Sequence, residues 1–214
     1  MRIVLILALL MVGGCNMVVT PTPMFTKADG AGAPGFRPGV WRGKADANCV
    51  FDEASPLDSW PSCANGALVD GDAISVVNSG SRERAAAAKI GYVLTVGDPR
   101  ILQLSLAGLA PGMGLSLSGY LYGGVRPTKV DDQGRITAYT TWFVSCGPPP
   151  PKATTSAGKI SFATHSPFPG LVMDKDGENC TASSVEALRN AAIASAKLPD
   201  DSPSETRWVR DGDR

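Results

Sequence analysis

From Gly39 onward, apolar and polar residues alternate in short runs rather than in helical turns. Leu102, Leu104 and Leu106 alternate with Gln103 and Ser105. Leu115, Leu117 and Leu121 stand opposite Ser116, Ser118, Tyr120 and Tyr122. A period of two places one face of a strand against a core and leaves the other polar. Residues 39–42, 91–96 and 159–162 read as further strands. Residues 67–69 and 73–77 flank the turn Asp70-Gly71-Asp72 and predict a hairpin. Residues 128–130 and 135–144 flank Asp131-Asp132-Gln133-Gly134, where Gly134 can take the left-handed conformation of a bulged hairpin loop.

Helical periodicity is confined to two segments. Residues 81–89 (SRERAAAAK) have helical propensity but are short. In residues 183–197, Val185, Leu188, Ala192 and Ala196 share one face, and Glu186, Asn190 and Lys197 lie opposite. Ser183 with Glu186 makes a capping box, and Pro199 ends the helix. Trp208-Val209 in the polar tail is expected to dock or to add a short strand. The expected class is a mostly β, α+β fold: an antiparallel sandwich or small barrel-like sheet with one C-terminal helix.

The N-terminus carries a different signal. Met1-Arg2 precedes ten unbroken apolar residues, 3–12, too few for a bilayer span of about 20 residues but suited to a signal-peptide core. Val12-Gly13-Gly14-Cys15 follows, and this resembles the lipobox of bacterial prolipoproteins. The resemblance implies cleavage after residue 14 and acylation of Cys15, with palmitate among the chains. Two or more acyl chains anchor a protein stably. Asn16 behind the cysteine implies sorting to the outer membrane, with the domain facing the periplasm.

Residues 15–37 are rich in Pro, Gly and Thr without periodicity and read as a lipidated Cys15 on a flexible tether. Gly30-Ala31-Gly32-Ala33-Pro34-Gly35 matches G-x-G-x-x-G, the dinucleotide fingerprint. That fingerprint needs a strand before it and a helix after it, and Pro34 and Pro38 oppose the helix, so the match is read as linker. Residues 38–214 are expected to form a single β-rich domain.

Composition narrows the function classes. Twenty Lys and Arg balance twenty Asp and Glu, so no global field draws nucleic acid. The 24 Gly and 17 Pro imply many turns. With Cys15 assigned to lipid, Cys49, Cys63, Cys146 and Cys180 remain, an even number in an exported chain. Three connectivities are available, and sequential pairing is preferred because it pins the loop after the first strand and ties the end of the long hairpin to the helix start. A Cys₄ zinc site is disfavoured by the lack of any C-x-x-C pair, and no metal or cofactor is expected.

Candidate chemistry is sparse. His165 is the one histidine and must serve any Ser-His-Asp hydrolase, but it lies in the turn-rich Ala163-Thr164-His165-Ser166-Pro167. Gly114 to Gly119 misses the G-x-S-x-G elbow, with Ser118 at the second glycine position, and reads better as strand. Ser156-Ala157-Gly158-Lys159 fits S-x-x-K but has no S-D-N or K-T-G partner. Asp174 to Asn179 is like a calcium loop but has Val185 where a bidentate Glu belongs. Asp131 and Asp132 are adjacent and point apart, so they read as turn residues.

Gly39-Val40-Trp41 at the first strand resembles the opening motif of the lipocalins, some of which are lipobox-anchored in bacteria. That resemblance implies a ligand-binding barrel, with Trp41 at its closed end and a basic residue over the indole, a role open to Arg207 or Arg210. The leading expectation is a membrane-anchored envelope lipoprotein, a non-enzymatic accessory or interaction protein with an envelope partner and no nucleic acid. The alternatives are a lipocalin-like small-ligand-binding β-barrel and a hydrolase using His165.

Overall fold

The strands that begin at Gly39 hydrogen-bond in a ring. The computed structural model describes residues 16–45, 48–76, 88–108, 118–150, 154–156, 159–198 and 204–212. In chain order its strands are β1 (Val19–Thr20), β2 (Gly39–Arg42), β3 (Gly66–Asp70), β4 (Ala73–Val76), β5 (Ala88–Leu94), β6 (Arg100–Ser105), β7 (Tyr120–Val130) and β8 (Ile136–Phe143). Two small hairpins follow, β9 (Thr154–Ser156) with β10 (Lys159–Ser161), and β11 (Leu171–Met173) with β12 (Cys180–Ala182). Helix α1 (Val185–Ser195) leads to β13 (Ser204–Arg210).

Strands β2 to β8 pair with their sequence neighbours, and β13 enters between β2 and β8. The result is a closed antiparallel barrel of eight strands, the barrel-like alternative of the expected class. Closure removes the unpaired edges an open sheet would carry. Trp208-Val209 belongs to the strand that completes the ring. The long hairpin turns at Gly134 with φ +74°.

Both faces of the barrel wall are covered in part. Inside, Phe36, Trp41, Val69, Leu94, Leu102, Val125 and Ile136 form one core. Outside, Ile101 and Tyr122 pack with Val18, Phe25, Val144 and the Leu188–Ala192 face of α1. A third core lies between Val40 on β2 and Leu57, Trp60 and Ala64 of the β2–β3 loop. Disulfides brace the two outer layers: Cys49–Cys63 within that loop, and Cys146–Cys180 between the end of the long hairpin and β12.

Several expectations are corrected. Residues 16–37 form a belt, not a flexible tether: Val18, Phe25 and Phe36 are buried, and β1 pairs with β7. Single apolar residues spaced along it anchor on different strands, so it shows no internal period. Gly30 of the G-x-G-x-x-G match serves this packing, since a Cβ there would collide with the Leu94 carbonyl oxygen. Ala88 and Lys89, expected to be helical, open β5; the remainder of that segment, 81–87, lies outside the described residues, as do 1–14, Cys15 and 115–117.

Strand β7 begins at Tyr120 and runs without interruption through Gly123, Gly124 and Pro127 to Val130, joining two segments that were expected as separate strands. The proline sits where the register shifts, a bulge that tolerates its missing donor. Helix α1 is capped by Ser184, whose side chain accepts from the Ala187 backbone N–H. Ser183 instead donates its hydroxyl to Gly170 O. The buried face is accordingly Ala187, Leu188, Ala191, Ala192 and Ser195, and Val185 is exposed.

Candidate ligand site in the barrel

Strand register assigns the lumen side chains. Trp41 is opposite Ala67 and Trp208, Ala67 is opposite Val76, Tyr92 opposite Leu104, Leu104 opposite Leu121, and Gly123 opposite Phe143. Facing pairs share a face, so these residues line the same surface as the buried inner core.

One end of this lumen is plugged. Phe36, carried in by the belt, lies 5.6 Å from Trp41, 5.6 Å from Tyr92 and 4.9 Å from Tyr139, ring centre to ring centre. Trp41 and Tyr139 are 5.4 Å apart. Trp41 Nε1 donates to Arg37 O at 2.9 Å, and Trp208 Nε1 donates to Pro38 O at 3.0 Å. Each indole thus meets its polar need at the backbone of the belt. Gly39 has φ +126°, and a Cβ there would lie 2.8 Å from Trp208 Nε1 and run into the Arg210 carbonyl. The glycine of the G-x-W motif is therefore what lets β13 cross.

Burial away from charge pushes the Tyr139 hydroxyl up to about 12. Tyr92 is likewise raised to about 12 by burial, then by the Asp72 charge. Arg37 stacks on Trp208 with its guanidinium carbon 3.6 Å from the ring centre and is held by Asp211 at 3.0 Å and Asp131 at 3.8 Å. The Asp131 carboxyl is held below the ordinary carboxylate range by the Arg135 side-chain hydrogen bond.

The other end differs. Ile74, Leu104 and Leu121 are half-buried, and Val76 and Phe143 on the same face are 38% and 51% exposed. This rim end carries the longer β2–β3, β4–β5 and β6–β7 connections, whereas the plugged end has short turns. Two open grooves of about 390 and 240 Å³ lie on the outer wall rather than in the lumen. The larger runs over Ala73, Gly91 and Val93 beneath the Lys27–Asp72 ion pair.

The remaining candidates fall apart from one another. Arg207 and Arg210 do not cover Trp41. Arg207 pairs with Glu53, and Arg210 lies 5.6 Å from the Trp60 ring centre and donates to Glu53 O and Ser55 O. Both leave the lumen because their positions on β13 face the outer wall, where the disulfide-braced loop supplies acceptors. Burial acts to raise the Glu53 carboxyl, but hydrogen bonds from Arg207 and Arg42 outweigh it and hold the group low.

His165 is exposed, and among the described residues no hydrogen bond joins it to a hydroxyl or carboxylate. The Asp174 carboxylate accepts from the backbone N–H groups of Glu178 and Asn179, so it caps a turn. Asp131 does the same for Gln133 and Arg135, while Asp132 is exposed. Among the described residues no three His, Cys, Asp or Glu side chains are placed to hold a metal ion, and no helix is long and apolar enough to cross a membrane. Phe36, Arg37 and Tyr139 were missed in the sequence; a lone aromatic within a Pro/Gly-rich stretch was the available signal. Compared with known proteins, the chain matches no family model, no curated protein and no solved structure.

Proposed function

We propose that this chain is an envelope lipoprotein anchored through Cys15, and that its barrel binds a small apolar ligand at the rim half of the lumen rather than catalysing a reaction. The observation that supports this is the asymmetry of the inward face. Aromatic rings fill one end, and Phe143 and Val76 expose apolar surface at the other. An eight-stranded barrel has room for packed side chains or for one small ligand, and here the two uses would divide along its axis. The lipocalin-like reading rests on the barrel and on Trp41 at the plugged end. The anchor rests on the lipobox.

A titration of the soluble domain with the fluorescent probe N-phenyl-1-naphthylamine tests this. Saturable one-to-one binding is expected, weakened about tenfold by Phe143→Asp, because a buried charge costs more than the about 1.4 kcal/mol that a tenfold change represents. Val130→Asp, at the plugged end, is expected to leave it unchanged. Absence of saturable binding overturns the ligand reading. The packed half of the lumen and the two outer grooves favour a second reading, an accessory protein that offers its outer wall to an envelope partner.

A further inference from the structure

The residue that follows Cys15 is built into the domain. Asn16 is buried with φ +51°, its backbone N–H donates to Glu178 O at 2.9 Å, and its amide nitrogen donates to Gly147 O at 2.8 Å. Its side-chain oxygen accepts from Thr164 N at 3.3 Å, and its carbonyl accepts from Cys146 N at 2.8 Å. Met17 then bridges Ser145, and Val18 bridges Cys180. A lipid on Cys15 would therefore have no slack between itself and the folded chain.

Exposed apolar side chains lie close along the chain, or across the sheet, to the residues that hold this segment. Phe162, 46% exposed, is two residues from Thr164, which holds Asn16. Val172, 61% exposed, faces Thr181, the neighbour of Cys180. Phe143, on the lumen rim, is two residues from Ser145. Phe162 and Phe143 each sit two residues from a direct partner of residues 16–18, and Val172 pairs with Thr181, the residue next to the Val18 partner Cys180. The neighbouring turn carries Asp174, Asp176 and Glu178 against the single cation Lys175, so no positive field favours anionic lipid.

We infer that the face around Asn16, bearing Phe162 and Val172 beside the rim residue Phe143, lies against a phospholipid surface. The inference rests on the anchored-lipoprotein reading. With no leash, an anchor at Cys15 holds this face at the headgroups, where exposed apolar rings gain burial of about 5–10 Å into the interface. The orientation also turns the barrel rim toward the bilayer, so an apolar ligand from the membrane would meet the lumen without crossing water.

The test uses the lipidated protein in phosphatidylcholine vesicles with brominated acyl chains. Tryptophan is placed singly by Phe162→Trp, Val172→Trp and, as a reference at the plugged end, Val130→Trp; the wild-type chain supplies the background. Positions 162 and 172 are expected to lose about half of their added fluorescence, and position 130 none, because quenching reaches only groups at the interface. A Gly/Ser segment inserted between Cys15 and Asn16 is expected to restore most of it. Unquenched 162 and 172 in protein that still floats with vesicles overturn the docked face and leave the anchor standing. Equal quenching at all three positions also overturns it. A terminal peptide without acyl mass overturns the anchor and the docked face together.

Discussion

Trp142 lies across Gly124 on the facing strand, and a Cβ at Gly124 would fall well under 3.0 Å from the indole ring. The same indole donates Nε1–H to Ala192 O of α1 at 2.9 Å. One side chain thus fastens the helix to the barrel wall, and the glycine opposite makes the space for it. Gly124→Ala is expected to destabilise the fold by about 2–3 kcal/mol through overpacking, read as a lower urea midpoint. Gly71→Ala, at a turn with open space around it, serves as the comparison for backbone strain alone.

Phe36 tests whether the belt is structural. Phe36→Ala should cost about 3–4 kcal/mol, as truncation of a fully packed aromatic does. A flexible tether would tolerate the change with no shift in thermal midpoint, and that result would contradict the plug.

The two disulfides close loops of unequal length, with sequence separations of 14 and 34. In the chain-entropy account, removing Cys49–Cys63 costs about 3 kcal/mol and removing Cys146–Cys180 about 4 kcal/mol. Paired Cys→Ala variants compared by denaturant melts check both values. Reductant should leave each variant with one remaining sensitive step.

Alkaline stability follows from Tyr139. Its folded-state hydroxyl is raised to about 12 against an ordinary value of 10.0. The unfolded chain therefore loses this proton first as pH rises. The stabilisation is fully present below pH 10 and disappears as pH climbs to about 12, by up to about 3 kcal/mol. Tyr139→Phe should flatten this decline in melts at successive pH values; an unchanged slope would show that Tyr139 is not its source.

His165→Ala is expected to change stability by no more than about 0.5 kcal/mol, as for other substitutions at exposed positions. Probe binding should also stay the same. A loss of binding equal to that of Phe143→Asp would return His165 to the functional site.

Local sequence carried the strands well. The hairpins at Gly71 and Gly134 are legible because turn residues and period-two runs are short-range properties. The even number of cysteines pointed to two disulfides but left three connectivities open, and it is the fold that brings Cys49 to Cys63 and Cys146 to Cys180. The G-x-W motif was visible as a motif, but its reason was not: Gly39 yields to Trp208 and Arg210, at the far end of the chain.

The chain by itself therefore determined a β-rich architecture, its turns and its one long helix, because propensity and periodicity act between neighbours. Tertiary structure alone decided that residues 16–37 wrap the wall, that β13 closes the ring, and that Arg207 and Arg210 turn outward to Glu53. Those outcomes depend on which distant surface offers a hydrophobic slot or an acceptor. No window of adjacent residues contains that information.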